Sequence, residues 1–369
     1  MKGEVVFFRL TDVGRRINLQ EVAKIIPATP DKRIIKTKDT PSYLDFPKPL
    51  NLEITQTITS EAKFIKSLNL NVKLYEDGVI SLIARISFEN ISLDILHTLR
   101  RLTFNTPDGE FNIKNYLKSQ YQKIFDQIKG FIEEEIYIIG DYEHEKYSLF
   151  CLTDEIENPV EFIHENKDYI ATLLMGENPN LNLNQNQVEN TLEHPFSFLK
   201  NDLTIFDFDR GFIIDPNCDY EDIILILEIA NYQLLELRAL DKLLDKRVTI
   251  AEDDIRKIYF KSRTVGRRLR KKIGNLFRIQ YDLTFLLENV ENVSKLIGDF
   301  YLAQIYSYLS ELFQLKQWSD SIRHRLETLG DIYSIAQTNS TERILLLLEI
   351  LLAFIFVMEF ILLLLDYFI

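Results

Sequence analysis

The period of the hydrophobic pattern changes along the chain, and the changes divide it into regions. Over roughly the first 155 residues, runs that alternate apolar and polar positions are interleaved with runs of helical period, which predicts an α+β domain. Gly3 to Leu10 is rich in strand formers, and Ile17 to Ile26 suits a short helix ended by Pro27. The clearest strand signal is Leu68 to Tyr75 followed by Val79 to Phe88. The two runs are joined by Asp77-Gly78, a dipeptide that supplies the positive φ of a tight hairpin turn. Ser92 is placed to cap a helix through Leu102, and Phe111 to Lys129 predicts another. Strands are expected at Glu135 to Ile139 and Tyr147 to Thr153, with one more helix over 157–175. This order of elements is compatible with a ferredoxin-like split βαβ layout.

The pattern then lapses. In 178–190, NPNLNLNQNQVEN, six of thirteen residues are Asn with no apolar period, which reads as a linker. Leu203 to Ile214 alternates again around a turn and suits a hairpin returning to the first sheet. From Asp219 the period is helical. Glu221 to Lys246 predicts one long helix, and Thr249-Ile250-Ala251-Glu252 has the form of a capping box that starts the next. A seven-residue register runs from Ile255 and Tyr259 to Ile297 with nine of its thirteen positions apolar, long enough for a coiled coil or elongated bundle. A last register, Leu315, Trp318, Ile322, Leu326, Leu329, Tyr333 and Ala336, leads into a final apolar block as a single stalk. The expected organisation is an α+β domain (1–176), an Asn-rich linker (177–195), a β-hairpin element (196–218), a helical or coiled-coil stalk (219–343) and one transmembrane helix (344–365).

The 22 residues of 344–365, ILLLLEILLAFIFVMEFILLLL, suffice to cross a hydrocarbon core of about 30 Å. Arg323, Arg325 and Arg343 precede the block and no Lys or Arg follows it. The expectation is a single-pass, tail-anchored protein with its bulk on the cytoplasmic side, or the matrix side in an organelle. Glu349 and Glu359 interrupt the block and point about 80° apart on a helix. They suit either a helix-helix contact in a membrane oligomer or snorkelling with partial protonation.

Composition refines this picture. The chain has 369 residues, 46% of them hydrophobic and 27% charged, and a mean hydropathy of −0.08, which excludes both a disordered chain and a polytopic membrane protein. The net charge of −13 is unevenly spread. Residues 133–168 hold 12 acidic and 2 basic side chains. Residues 256–272 hold Arg256, Lys257, Lys261, Arg263, Arg267, Arg268, Arg270, Lys271 and Lys272 with no acid. That basic segment suits anionic lipid headgroups or an acidic protein surface, its own acidic segment included. Nucleic acid is the weaker partner, because the overall charge is acidic and no nucleic-acid-binding motif accompanies the patch. Cys151 and Cys218 are expected to be buried free thiols, with no CxxC pair for zinc. The histidines at 97, 144, 164, 194 and 324 are scattered, and no P-loop, GxGxxG, HExxH or GxSxG motif is present. No cofactor and no catalytic residue is expected.

Leu312 to Gln337, LFQLKQWSDSIRHRLETLGDIYSIAQ, followed by an apolar span with Glu349 and Glu359 ten apart, resembles the end of the "required for meiotic nuclear division" family. Tyr75 to Glu89, YEDGVISLIARISFE, is similar to that family's Asp-Gly-Val strand. The family usually has an Arg-Leu-Glu triplet where the span begins, whereas here Leu347 and Leu348 precede Glu349 and the arginine lies earlier, at Arg343. The resemblance implies a membrane-anchored, oligomeric, non-enzymatic protein whose eukaryotic relatives are mitochondrial and support organellar translation.

The leading expectation is therefore a membrane-tethered scaffold or assembly protein in contact with the lipid bilayer, self-associating as a homo-oligomer through its stalk and span. Two alternatives stand beside it. A CorA-like ion transport protein needs two spans and a Gly-Met-Asn signature, and the methionines here are Met1, Met175 and Met358, none in that triplet. A metal-dependent enzyme would use the acidic cluster near His144 and His164.

Overall fold

A computed structural model describes residues 1–27, 29–30, 49–56, 65–107, 109–133, 143–178, 180–260 and 299–368, with 274 and 284. In chain order the elements are β1 (Gly3–Asp12), β2 (Arg16–Ile17), α1 (Leu19–Val22), β3 (Thr29–Pro30), β4 (Leu50–Gln56), β5 (Ile65–Leu74) and β6 (Val79–Phe88). Then come α2 (Leu93–Leu99), β7 (Thr103–Thr106), β8 (Gly109–Asn112), α3 (Ile113–Ile128), β9 (Ile132–Glu133), β10 (His144–Leu152), α4 (Pro159–Glu165) and α5 (Lys167–Met175). The chain closes with α6 (Gln185–Thr191), β11 (Leu203–Phe206), β12 (Arg210–Ile214), α7 (Glu221–Phe260), α8 (Phe300–Leu312) and α9 (Leu315–Phe368).

Two compact units result. One comprises 1–239 with 289–318, the other 240–288 with 319–369. The first is built on an eight-stranded sheet ordered β11-β12-β10-β1-β6-β5-β4-β3, in which only β10 and β12 pair in parallel. Its four central strands, β10-β1-β6-β5, have the order of a split βαβ unit. The crossover from β6 to β10 carries α2 and α3, as that unit requires. The crossover from β1 to β5 carries, among the described residues, only the four-residue α1 and short strands, which departs from the ferredoxin-like expectation. Ile17 lies in β2, so the helix expected over Ile17 to Ile26 shrinks to α1 and turns.

The strands alternate as a sheet covered on both faces demands. Val5 and Phe7 of β1, with Phe150 and Leu152 of β10, pack under Leu96 of α2, Tyr116 of α3 and Ile170 and Leu173 of α5. The opposite face meets α7. There Glu228, fully buried, takes the Lys73 ammonium and accepts hydrogen bonds from Ser81 Oγ (2.8 Å) and Tyr75 Oη (3.1 Å). Glu221 forks with Arg85, Tyr232 donates to Asp77 (3.1 Å), and Arg238 pairs with Glu145 (2.6 Å). Tyr306 of α8 donates to Gln233 at 2.7 Å, and Phe313 packs edge-on against Tyr147. The hairpin expected at Asp77-Gly78 is present. A Cβ on Gly78 (φ +94°) would lie 1.7 Å from the Gly14 carbonyl oxygen, so both conformation and space require glycine.

Several expectations are corrected. The segment expected as an Asn-rich linker contains α6. Its asparagines serve as caps and turns, Asn184 accepting from the Asn186 amide at 3.0 Å, while Val188 is buried. The helix over 157–175 is two, parted at Asn166. The capping box at Thr249 does not form, because α7 continues through it and the Thr249 hydroxyl instead donates to the Asp245 carbonyl one turn back, at 3.0 Å. Cys151 is buried as expected, but Cys218 is exposed. The hairpin of β11 and β12 does return to the sheet.

In the second unit, Arg325 of α9 pairs with Asp241 (2.9 Å) and Asp245 (2.5 Å) of α7, and Ser321 lies 3.2 Å from Asp241. Ile322, Leu326 and Leu329 of the expected register are buried. The register from Ile255 to Ile297 and the strand at Glu135 to Ile139 lie outside the described residues, apart from the first backbone positions of that register at the end of α7.

Candidate functional site

Two features of the chain invite a function, and the sequence pointed to only one of them. That one is the far end of α9. The helix runs unbroken for 54 residues from the stalk register into the apolar block, as expected. Leu345–Leu362 has a mean hydropathy of 2.7 and none of it is buried, so by length and composition it is able to cross a membrane. Glu349 and Glu359 both lie on it, exposed. Of the basic segment, Arg256 and Lys257 fall at the end of α7, and Lys261, Arg263, Arg267, Arg268, Arg270, Lys271 and Lys272 lie outside the described residues. Among the described residues no group of three or more His, Cys, Asp or Glu side chains is placed to hold a metal ion. Asp207 and Asp209 sit in the turn between β11 and β12. Tyr147 anchors that turn, its hydroxyl lying 2.8 Å and 2.6 Å from the carbonyl oxygens of Asp207 and Arg210.

The second feature is a cavity of about 560 Å³ on the face of the sheet that α2 and α3 cover. Its floor follows from strand alternation. The positions after Val5 and Phe7 on the core side of β1 continue with Arg9, which stands directly opposite Lys146 of β10. Ser148, two residues along, stands opposite Arg210 of β12. Three cations from three adjacent strands therefore share one face. Arg100 and Arg101 at the end of α2 and Lys114 in the first turn of α3 add to the lining, while only Asp94 and Glu177 oppose them there.

These charges are poorly compensated. None of Arg9, Arg100, Arg101, Lys114 or Lys146 makes an ion pair among the described residues, and Arg210 has only Asp209 at 3.6 Å. Arg210 Nη1 donates to the Leu173 carbonyl (2.8 Å), but the buried Nε atoms of both Arg9 and Arg210 lack a hydrogen-bond partner. Burial, then the charges of Arg9, Lys114 and Arg100, hold the Lys146 ammonium below its ordinary range. Burial, then Arg100, pushes the Arg210 guanidinium down to about 10, which leaves it protonated at neutral pH. Gly176 (φ +78°) ends α5 in the left-handed conformation and leaves room for Arg210, whose Nη2 would lie 2.3 Å from an added Cβ.

A model of the family described as "Uncharacterized protein MJ0711, N-terminal domain" matches residues 2–221. The chain belongs to that family. The match spans the sheet and every residue lining the cavity. The chain is also 28% identical over 317 residues to Uncharacterized protein MJ0711 of Methanocaldococcus jannaschii, covering 85% of each protein. No solved structure matches it.

One buried carboxyl bears on stability. Glu236 of α7 is 8% exposed and its Oε1 has no hydrogen-bond partner. Burial, then the charges of Asp12 and Asp77, raises its carboxyl well above the ordinary value. The native state thus holds a proton that the unfolded chain releases near pH 4.5, so stability falls as pH rises from there towards the native value. Glu236→Gln is expected to raise the melting temperature at pH 8 by about 2–4 °C per kcal/mol relieved, and to change it little near pH 4. Thermal melts of both chains across that range check this.

Proposed function

We propose that this protein is a non-enzymatic, membrane-anchored scaffold in which the end of α9 crosses the bilayer and the α/β unit stands on the cytoplasmic side. The observation that carries the reading is Leu345–Leu362, eighteen residues of mean hydropathy 2.7 that no described residue covers. A continuous apolar surface of this size needs a bilayer or another protein against it. At 1.5 Å per residue the 22 residues of 344–365 extend about 33 Å, enough for the hydrocarbon core. The arginines at 323, 325 and 343 on the preceding side support the cytoplasmic assignment.

Self-association belongs to the same reading. Glu349 and Glu359 gain most from a partner helix that satisfies them away from lipid. The resemblance of Leu312 to Gln337 to a membrane-anchored family supports it as well. Washing membranes at alkaline pH tests the anchor. The full chain is expected to stay in the pellet and a chain ending at Glu342 to leave it, and release of both would contradict the reading. Mass in detergent tests assembly, with an oligomer expected for the full chain and dissociation for Glu349→Leu with Glu359→Leu.

A further inference from the structure

The geometry points to the cavity over β1, β10 and β12 as a binding site for an organic di- or triphosphate. Like charges directly opposite each other on neighbouring antiparallel strands repel, and Arg9 and Lys146 are such a pair. Folding alone gives no reason to add Arg210 beside them and Arg100, Arg101 and Lys114 around the rim. An anion that binds there converts this repulsion into attraction, and a partly enclosed site strengthens it by limiting solvent screening.

The number of charges selects the class. Six cations against two carboxylates leave a lining charge of about +4, which a single carboxylate or one phosphate leaves mostly unanswered. Two or three linked phosphates match it. Four of the six cations are arginines, whose planar guanidinium forks bind phosphate oxygens two at a time, and the unpartnered Nε atoms of Arg9 and Arg210 are donors not yet used. Ser148 in the floor supplies a hydroxyl. The cavity is also more than an ion hole. Phe7, Ile113 and Leu117 line it, and about 560 Å³ falls within the range of small-ligand sites, so an organic group attached to the phosphates has an apolar surface to rest on.

The test uses the full chain in detergent and isothermal titration with pyrophosphate, ATP, adenosine and citrate at about 0.15 M salt. Pyrophosphate and ATP are expected to bind below about 1 mM, ATP the tighter, with adenosine and citrate at least about tenfold weaker. Lys146→Glu reverses one floor charge and is expected to weaken both phosphates about tenfold or more. Lys200→Glu, an equal charge change at an exposed site outside the cavity, is expected to leave them unaltered. Lys114→Gln, on the exposed rim, provides the same reading should Lys146→Glu fail to fold, and is also expected to weaken both. Failure of both phosphates to bind, equal binding of citrate, or affinities indifferent to both cavity substitutions would overturn the assignment. So would tight binding of a single-stranded RNA that ATP does not displace.

Discussion

Glu228→Ala is expected to cost about 3–5 kcal/mol of folding stability. Glu228 is fully buried between α7 and the sheet, and it is the carboxylate that faces the 6%-exposed Lys73 while also accepting from Ser81 and Tyr75. Truncating it strips a buried ammonium of that carboxylate and removes the acceptor of two hydroxyls at once. The penalty reflects exposure of the partner's charge rather than a large net gain from the pair. The combined change Lys73→Met with Glu228→Leu is therefore expected to recover most of the loss, because an apolar pair of similar size leaves no charge behind. Urea unfolding of the three variants checks this, and additive losses in the double variant would contradict it.

Ala353→Arg is expected to abolish stable insertion of α9. The fourteen Leu, Ile, Phe and Val residues of Leu345–Leu362 contribute on the order of 4–8 kcal/mol to insertion. Glu349 and Glu359 oppose this with up to about 2.5–3.5 kcal/mol each, less because both lie away from the centre. The balance is favourable but narrow, and an arginine at mid-span adds another about 2.5–3.5 kcal/mol against it, a change of roughly a hundredfold in the inserted fraction. Glu349→Leu shifts the same balance the other way. Reporter-based insertion of the three spans reads out both directions, and undiminished insertion of the arginine variant would show that the segment is held by protein rather than by lipid.

Features that depend on neighbouring residues were legible in the sequence. The Asp77-Gly78 hairpin, the return of β11 and β12 to the sheet and the continuity of α9 from Leu315 into the apolar block all follow from local period and turn chemistry. Errors arose where one residue type serves two purposes. Thr249 offers the chain of a capping box, yet nothing before it breaks α7, so its hydroxyl bonds back along a continuous helix. The asparagines of 178–190 suggested a linker because they lack an apolar face, but Asn184 is a helix cap and the single apolar side chain Val188 suffices to dock α6. The cavity was beyond reach for a different reason. Its cations come from β1, α2, α3, β10 and β12, and only the strand order brings positions 9, 146 and 210 side by side. The signal present in the sequence was Arg9 itself, a charge on the core-facing side of an otherwise apolar strand, and Glu228 in the apolar run IILILEIA carries the same kind of message.

The depth of the apolar segment in a bilayer distinguishes a spanning α9 from one held by protein. In the full chain with Trp318→Phe, which removes its one native tryptophan, Phe354→Trp places a single fluorophore near the middle of Leu345–Leu362. Reconstituted in vesicles brominated at different acyl-chain depths, this tryptophan is expected to be quenched most by bromines nearest the bilayer centre. Strongest quenching by bromines near the headgroups, or none at any depth, would contradict a membrane-spanning α9.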